Sequence, residues 1–218
     1  SKEVFDRSIL PAKNLITFFA SDFYGHPANN NFWSQSYGDF TPYFGVIPLI
    51  FSAWAIFRFW REPFTKFAAI VSVFFIIAAT HGPITFLIKT FQVPVLDSTT
   101  PSRFISISIF LLIILAAFGL EDFLRNFQDK KYLKKFIYFL LPIGTGYLLM
   151  WTFVVFGTQF LEPKEIWQIN LAVTRRNLIL PTAMFLSIPI GTTMIRIFVV
   201  KVGALKSLST SLLAIWLF

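Results

Sequence analysis

The run FISISIFLLIILAAFGL, Phe104 to Leu120, constrains this chain more than any other stretch. It carries no charge and approaches the ~20 residues that a helix rising 1.5 Å per residue needs to cross a hydrocarbon core of ~30 Å. Four more apolar stretches read the same way: Phe44 to Phe59, Phe64 to Thr80, Phe136 to Gly157 and Leu178 to Val200, with a sixth beginning near Leu208 and running to residue 218. The chain is 56% hydrophobic, only 14% charged and holds 29 Phe, more apolar surface than one water-soluble domain can hide. Pro48, Pro142 and Pro189 inside these runs suit helices in lipid. The runs do not alternate in period two, which disfavours barrel strands. The expectation is an all-α, polytopic membrane protein with about five to six transmembrane helices in one partial domain over residues 1–218. The chain ends at Phe218 inside an apolar run too short to span, and reads as a piece of a longer protein.

Cysteine is absent, which removes disulfides, thiolate nucleophiles and thiolate metal sites. A net charge of +8 would suggest nucleic acid in a soluble protein, yet there is no aromatic-basic alternation typical of such surfaces. The charge reads instead as an orientation signal. Eleven of the 19 Lys and Arg residues gather in three short connections, at Arg58–Lys66, Arg125–Lys135 and Arg196–Lys206. The positive-inside rule makes that face cytoplasmic. The longer segments 1–42, 81–103 and 158–177 then lie outside, where a site would be built. The inner cluster DKKYLKK serves as the orientation signal and as a contact for anionic membrane lipids.

Two outer segments carry amphipathic periodicity. In PITFLIKTFQVP, Ile84, Leu87, Ile88 and Phe91 form one stripe; in PKEIWQINLAVTRR, Ile166, Ile169 and Val173 form another, with Trp167 suited to the boundary region. Both predict helices lying at headgroup level, or ordinary amphipathic loop helices.

The polar residues of the outer face are the candidates for chemistry. Asp22 and His26, in SDFYGHP, and Asp39, in YGDF, offer a base, an acid or metal ligands, or equally a helix cap and a turn. His81 precedes Gly-Pro at the end of a span, as a ligand or as a terminal hydrogen-bonding group. The spacing of two His and scattered carboxylates argues against a dedicated zinc site. Arg103, in TTPSRF, sits at the mouth of the Phe104 run. Its guanidinium can fork onto a lipid phosphate or pyrophosphate, or snorkel to ordinary headgroups. Arg175 and Arg176 form a second pair with the same choices. Phosphate-cradling Gly loops and G-x-S-x-G are missing, so soluble-enzyme chemistry is not in evidence.

The stretch FFASDFYGHPANNNFWSQSYGDFTPYFGVIPLIFS resembles the extracytoplasmic loop and following helix start of bacterial YfhO-type membrane proteins, of the GT-C glycosyltransferase class. THGPITFLIKTFQVPVLDSTTPSRFISISIFLLIILAAFGLEDF is similar to the same family's next stretch. Residues 17–122 carry the resemblance. It implies a GT-C-like core with interfacial helices on the outer face of the bacterial cytoplasmic membrane. The implied activity moves a sugar from a polyprenyl-phosphate donor to an extracytoplasmic envelope glycan. In that scheme Arg103 meets the leaving phosphate, helped by Arg175, Arg176, His81 and His26, while Tyr24 offers a stacking face. Asp22 is the first candidate for the base and Asp39 the second. The family's main catalytic carboxylate is expected upstream of Ser1. No organic cofactor is implied, and a divalent cation is left open. The competing readings are a transporter or flippase of lipid-linked glycans, disfavoured by the few uncharged mid-span polar residues, and a non-catalytic scaffold.

Overall fold

Among the described residues the sustained apolar runs are helical, and Pro63 and Pro83 mark the starts of two of the helices. The computed structural model describes residues 8–34, 36–91 and 100–202, and only the backbone of Lys89 and of residues 195–202. A short helix α1 (Tyr37–Phe40) precedes α2 (Val46–Arg58), α3 (Pro63–Ala79) and α4 (Pro83–Phe91); α5 (Ile105–Asn126), α6 (Lys130–Phe156) and α7 (Lys164–Val202) follow. Pro at the first position opens α3, where a missing N–H costs nothing. Asp129 caps α6 by accepting the Lys131 N–H at 2.9 Å. Three-residue to seven-residue 3-10 turns occupy Ala12–Phe18, Pro27–Asn29, Pro101–Phe104 and Gly157–Gln159. No strand forms among the described residues; Leu10 and Thr80 make an isolated bridge.

Three helical stretches, Pro101–Asn126, Lys130–Gln159 and Lys164–Met194, are long and apolar enough to cross a membrane, and α2 and α3 are shorter apolar helices. Large side chains stand exposed along them, including Phe67 and Phe74 on α3, Phe110 on α5, Leu148 on α6 and Leu180 on α7. Water would penalise such a surface by roughly 25 cal/mol per Å²; lipid does not. The molecule is a membrane protein, all-helical in its described residues.

The bundle is built on α2. One side of it packs on α5, which packs in turn on α3; the other side meets α6 and α7, which pair with each other. The α2–α5 contact is close because Gly119 has no side chain: a Cβ there would lie 2.0 Å from the Phe51 carbonyl oxygen. Trp54, Phe51, Phe123 and Phe136 fill the space between α2, α5 and α6, with Phe123 and Phe136 ring centroids 4.7 Å apart.

Two sequence expectations need correction. The outer segment Lys164–Arg176 and the run from Leu178 are one helix, α7, not a surface helix followed by a span. Nothing between them breaks a helix: Arg175, Arg176 and Asn177 interrupt hydropathy, not backbone geometry. Leu171, Thr174 and Leu178 continue one buried face across the expected boundary, while Ile166 and Ile169 stay exposed. The charged stretch after Leu120 is also mostly helical. It extends α5 to Asn126, aided by the Glu121–Arg125 ion pair one turn apart, and leaves three residues to connect α5 to α6. The helix expected at 84–91 is present as α4, but its stripe divides: Ile88 is buried while Leu87 and Phe91 are exposed. The expected span at 208–218 lies outside the described residues.

Gly119→Ala is expected to lower the thermal midpoint of the protein in detergent by the equivalent of about 1–3 kcal/mol, because backbone rather than a movable side chain blocks the new methyl group. Gly146→Ala, with nothing within 4 Å of its Cβ position, is the control and should leave the midpoint unchanged or slightly higher.

Candidate functional site

Residues 8–43 close the end of the bundle at which α2 starts, and they do so largely without regular structure. A backbone of this kind exposes N–H and C=O groups that need partners. The surrounding helices supply them. The Tyr147 hydroxyl of α6 donates to the Phe19 carbonyl at 2.9 Å. From α7, the Thr174 hydroxyl donates to the Phe23 carbonyl at 2.7 Å and the Asn177 amide to the Asp22 carbonyl at 2.8 Å. Within the cap, the Asn14 amide donates to the Phe40 carbonyl at 3.1 Å. The Leu10 N–H reaches the Ala79 carbonyl at the end of α3, and the Ser102 N–H reaches the Ser8 carbonyl.

The loop Tyr24–Trp33 is shaped by its own sequence. Gly25 has φ +87°, and a Cβ there would lie 2.2 Å from the Asn31 carbonyl oxygen. Asn30 takes the left-handed conformation at φ 50°, which Asn tolerates best after Gly. Asn31 then accepts the His26 N–H on its side-chain oxygen at 2.9 Å, which closes the loop. The three consecutive Asn therefore belong to a defined turn. Trp33 joins it to the bundle, with ring centroids 4.7 Å from Tyr24 and 5.7 Å from Trp167 of α7.

Asp22 lies half-buried at the centre of this cap and accepts the Tyr37 hydroxyl at 2.6 Å. Burial, reinforced by the hydrogen bond to Asp22 and its charge, pushes the Tyr37 phenol up to about 12, so it remains a donor throughout the neutral range. The His26 ring stands edge-on to Tyr37 at 4.7 Å, and its Nδ1 accepts the Ala28 N–H at 3.1 Å. His26 is thus the cap of the 27–29 turn and the neighbour of the Asp22–Tyr37 pair at once. Asp39 shares α1 with Tyr37, is exposed, and accepts the Ser36 hydroxyl at 2.9 Å.

The turn that carries Arg103 packs against α1 and against the end of α3. Arg103 is exposed and makes no ion pair among the described residues. His81, also exposed, follows Thr80 at that same end of α3. The structure therefore brings Asp22, His26, Asp39, Arg103 and His81 to one end of the bundle, with carboxylates and guanidinium left apart. Arg175 and Arg176 lie beside Thr174 and Asn177 along α7, but on the exposed face, turned away from the cap. Tyr24 is buried in the cap: its hydroxyl donates to the Lys13 carbonyl at 2.8 Å, and burial raises its phenol to about 12. Among the described residues no group of three or more His, Asp or Glu side chains is placed to hold a metal ion.

A second polar cluster, at the opposite end, escaped the sequence reading. Asp122 of α5 accepts the Tyr132 hydroxyl at 2.6 Å, shares the Trp54 indole N–H with Tyr132, and accepts the Asn126 amide at 3.1 Å; the Arg58 guanidinium lies 3.8 Å away. A groove of about 490 Å³ opens beside it, lined by Glu62, Thr65, Glu121 and Arg125 among others. With both carboxylate oxygens engaged, Asp122 ties α2, α5 and α6 together instead of offering a reactive group. The one signal in the sequence was the placement of Trp54 and Arg58 one helical turn apart, with the Glu121–Asp122 pair at the end of the most apolar run.

No family model, curated protein or solved structure matches the chain. The likeness to YfhO-type proteins rests on the quoted motifs.

The Asp22–Tyr37 pair should be visible on alkaline titration. Its contribution to cap stability is fully present below the ordinary tyrosine value of 10 and is lost as pH rises through about 12, because the folded state holds the phenolic proton longer than the unfolded chain does. An ultraviolet titration of tyrosinate is expected to lose one late-titrating phenol in Tyr37→Phe.

Proposed function

We propose that the protein is a GT-C-type membrane glycosyltransferase that transfers a sugar from a polyprenyl-phosphate donor to an extracytoplasmic envelope glycan. The observation that carries this reading is that one end of an apolar bundle holds both a half-buried carboxylate oriented by a tyrosine and, on the turn packed against that tyrosine's helix, an exposed guanidinium with no ion pair among the described residues. The quoted motifs supply the family likeness and the substrate class.

In this reading α2, α3, α5, α6 and α7 lie across the bacterial cytoplasmic membrane. Arg58, Arg61, Lys66, Arg125 and the lysines of early α6 lie at the cytoplasmic end, and the cap at the outer one. The donor phosphate docks at headgroup depth on Arg103, whose planar fork suits phosphate oxygens. His81 lies at the same rim as a further donor. Asp22 accepts the proton of the acceptor hydroxyl as the new glycosidic C–O bond forms. The bond from the sugar to the phosphate oxygen breaks with its electron pair on phosphate, where Arg103 compensates the charge. The Tyr37 hydroxyl holds Asp22 in place, the His26 ring packs edge-on against Tyr37, and Asp39 is the alternative base. Arg175 and Arg176 contact membrane phosphates outside the site.

Transfer of labelled sugar from a polyprenyl-phosphate donor in membranes tests this assignment. Asp22→Asn is expected to lower turnover about 10²–10⁴-fold, and Arg103→Ala to lower kcat/KM for the donor about 10–100-fold, the loss of one charge-assisted contact to phosphate. Membrane insertion and thermal midpoint should be retained in both. Unchanged turnover at subsaturating donor removes Arg103 from the reaction, and loss of folded protein in step with activity makes Asp22 a structural residue.

A further inference from the structure

At the basic end of the bundle a groove of about 600 Å³ opens between α2 and α6, apart from the cap and from the Asp122 cluster. Its walls are apolar, with Phe57 from α2 and Tyr138, Phe139 and Pro142 from α6. Its mouth is cationic. Lys131, Lys134 and Lys135 line it, and their spacing of three and four residues sets them on one face of the first turns of α6. The Lys134 ammonium stands 5.7 Å from the Tyr138 ring centroid and the Lys135 ammonium 5.2 Å from that of Phe57. Each lysine thus lays its stem along the apolar wall while its charge stays at the groove mouth.

No carboxylate lines this groove, and none of the three ammonium groups makes an ion pair among the described residues. The nearest acid in sequence, Asp129, is engaged in capping α6. The neighbouring groove at the same end carries Glu62, Glu121 and Asp122. Positive potential is therefore a property of the α2–α6 groove and not of the whole end. A narrow apolar trough with three cations at its water-facing rim matches one kind of molecule in its surroundings: a long acyl chain joined to a negatively charged phosphodiester.

We infer that the α2–α6 groove is a binding site for an anionic phospholipid, with acyl chain along Phe57, Tyr138 and Pro142 and phosphodiester on Lys131, Lys134 and Lys135. A zwitterionic lipid brings its own ammonium to the same rim and cancels the attraction. The inference is independent of the enzymatic reading, since no residue of the cap takes part.

Lipid titration of the purified protein in detergent, read by native mass spectrometry, tests it with phosphatidylglycerol and phosphatidylcholine of identical chains. Phosphatidylglycerol is expected to bind more tightly. The combined Lys131→Gln, Lys134→Gln and Lys135→Gln variant should lose roughly 100-fold in that affinity, from about 1 kcal/mol per lysine. Removing the same number of charges elsewhere, through Arg61→Gln, Lys66→Gln and Lys164→Gln, should change it less than threefold. Glycerol phosphate, the headgroup without chains, should not displace the lipid. Equal binding of the two lipids, retained affinity in the lysine variant, equal loss in the control variant, or displacement by glycerol phosphate would each overturn the site.

Discussion

The structure depends on one constraint: irregular backbone set between long apolar helices must find all its hydrogen bonds inside the protein. Helix α2 has thirteen residues and rises only about 20 Å, less than the ~30 Å of a hydrocarbon core. The cap occupies the end where α2 begins. The Phe19 carbonyl meets Tyr147 roughly 14 Å along α6 from its Phe156 end, and the Phe23 carbonyl meets Thr174 about 15 Å along α7 from Lys164, at 1.5 Å per residue. Non-helical chain packed between helices is tolerated where protein covers it and donors reach its carbonyls. Tyr147, Thr174 and Asn177 meet that requirement from α6 and α7.

The same bonds fix one acidic side chain of the cap. Asp22 is fixed twice, its carbonyl by Asn177 and its carboxylate by Tyr37, so the side chain stands in one orientation before any ligand arrives. Orientation set in advance is what a catalytic or binding carboxylate needs. Asp122, at the other end, shows the contrasting use of an acid in such a bundle. Surrounded by Trp54, Tyr132 and Asn126, it spends its acceptor capacity on holding three helices in register. The two aspartates thus differ in setting: Asp22 stays half-buried while Asp122 is buried with both oxygens engaged.

Much of the helical layout was legible in the sequence, because the punctuation was local. Pro63 after Glu62 marks the start of α3, and Thr80–Gly82 before Pro83 separates α3 from α4. The continuity of α7 was not legible. A hydropathy reading breaks at Arg175–Arg176–Asn177, yet a helix needs only compatible backbones, and its polar residues turn one face to the cap and another away from it. The cap was legible as a candidate site through its density of polar side chains, but its bonding was not. The partners of Asp22 and Phe23 on α7 lie more than 150 positions away in sequence, and Trp54 meets Tyr132 across 78. Such contacts carry no periodic signal. The Asn run was legible only as a turn, since the separate duties of Asn30 and Asn31 follow from conformation.

The measurement that bears most directly on this account is amide hydrogen exchange of residues 16–33 with the protein in a lipid bilayer. Sealed carbonyls and buried turns predict slow exchange at Ala20, Phe23, Gly25 and Trp33, whose N–H groups bond within the cap, at rates close to those of α5. Removing the helix donors together, by Tyr147→Phe, Thr174→Val and Asn177→Leu, should release that protection while α5 keeps its own. Fast exchange of the cap in the unaltered protein, or protection that survives loss of all three donors, would contradict it.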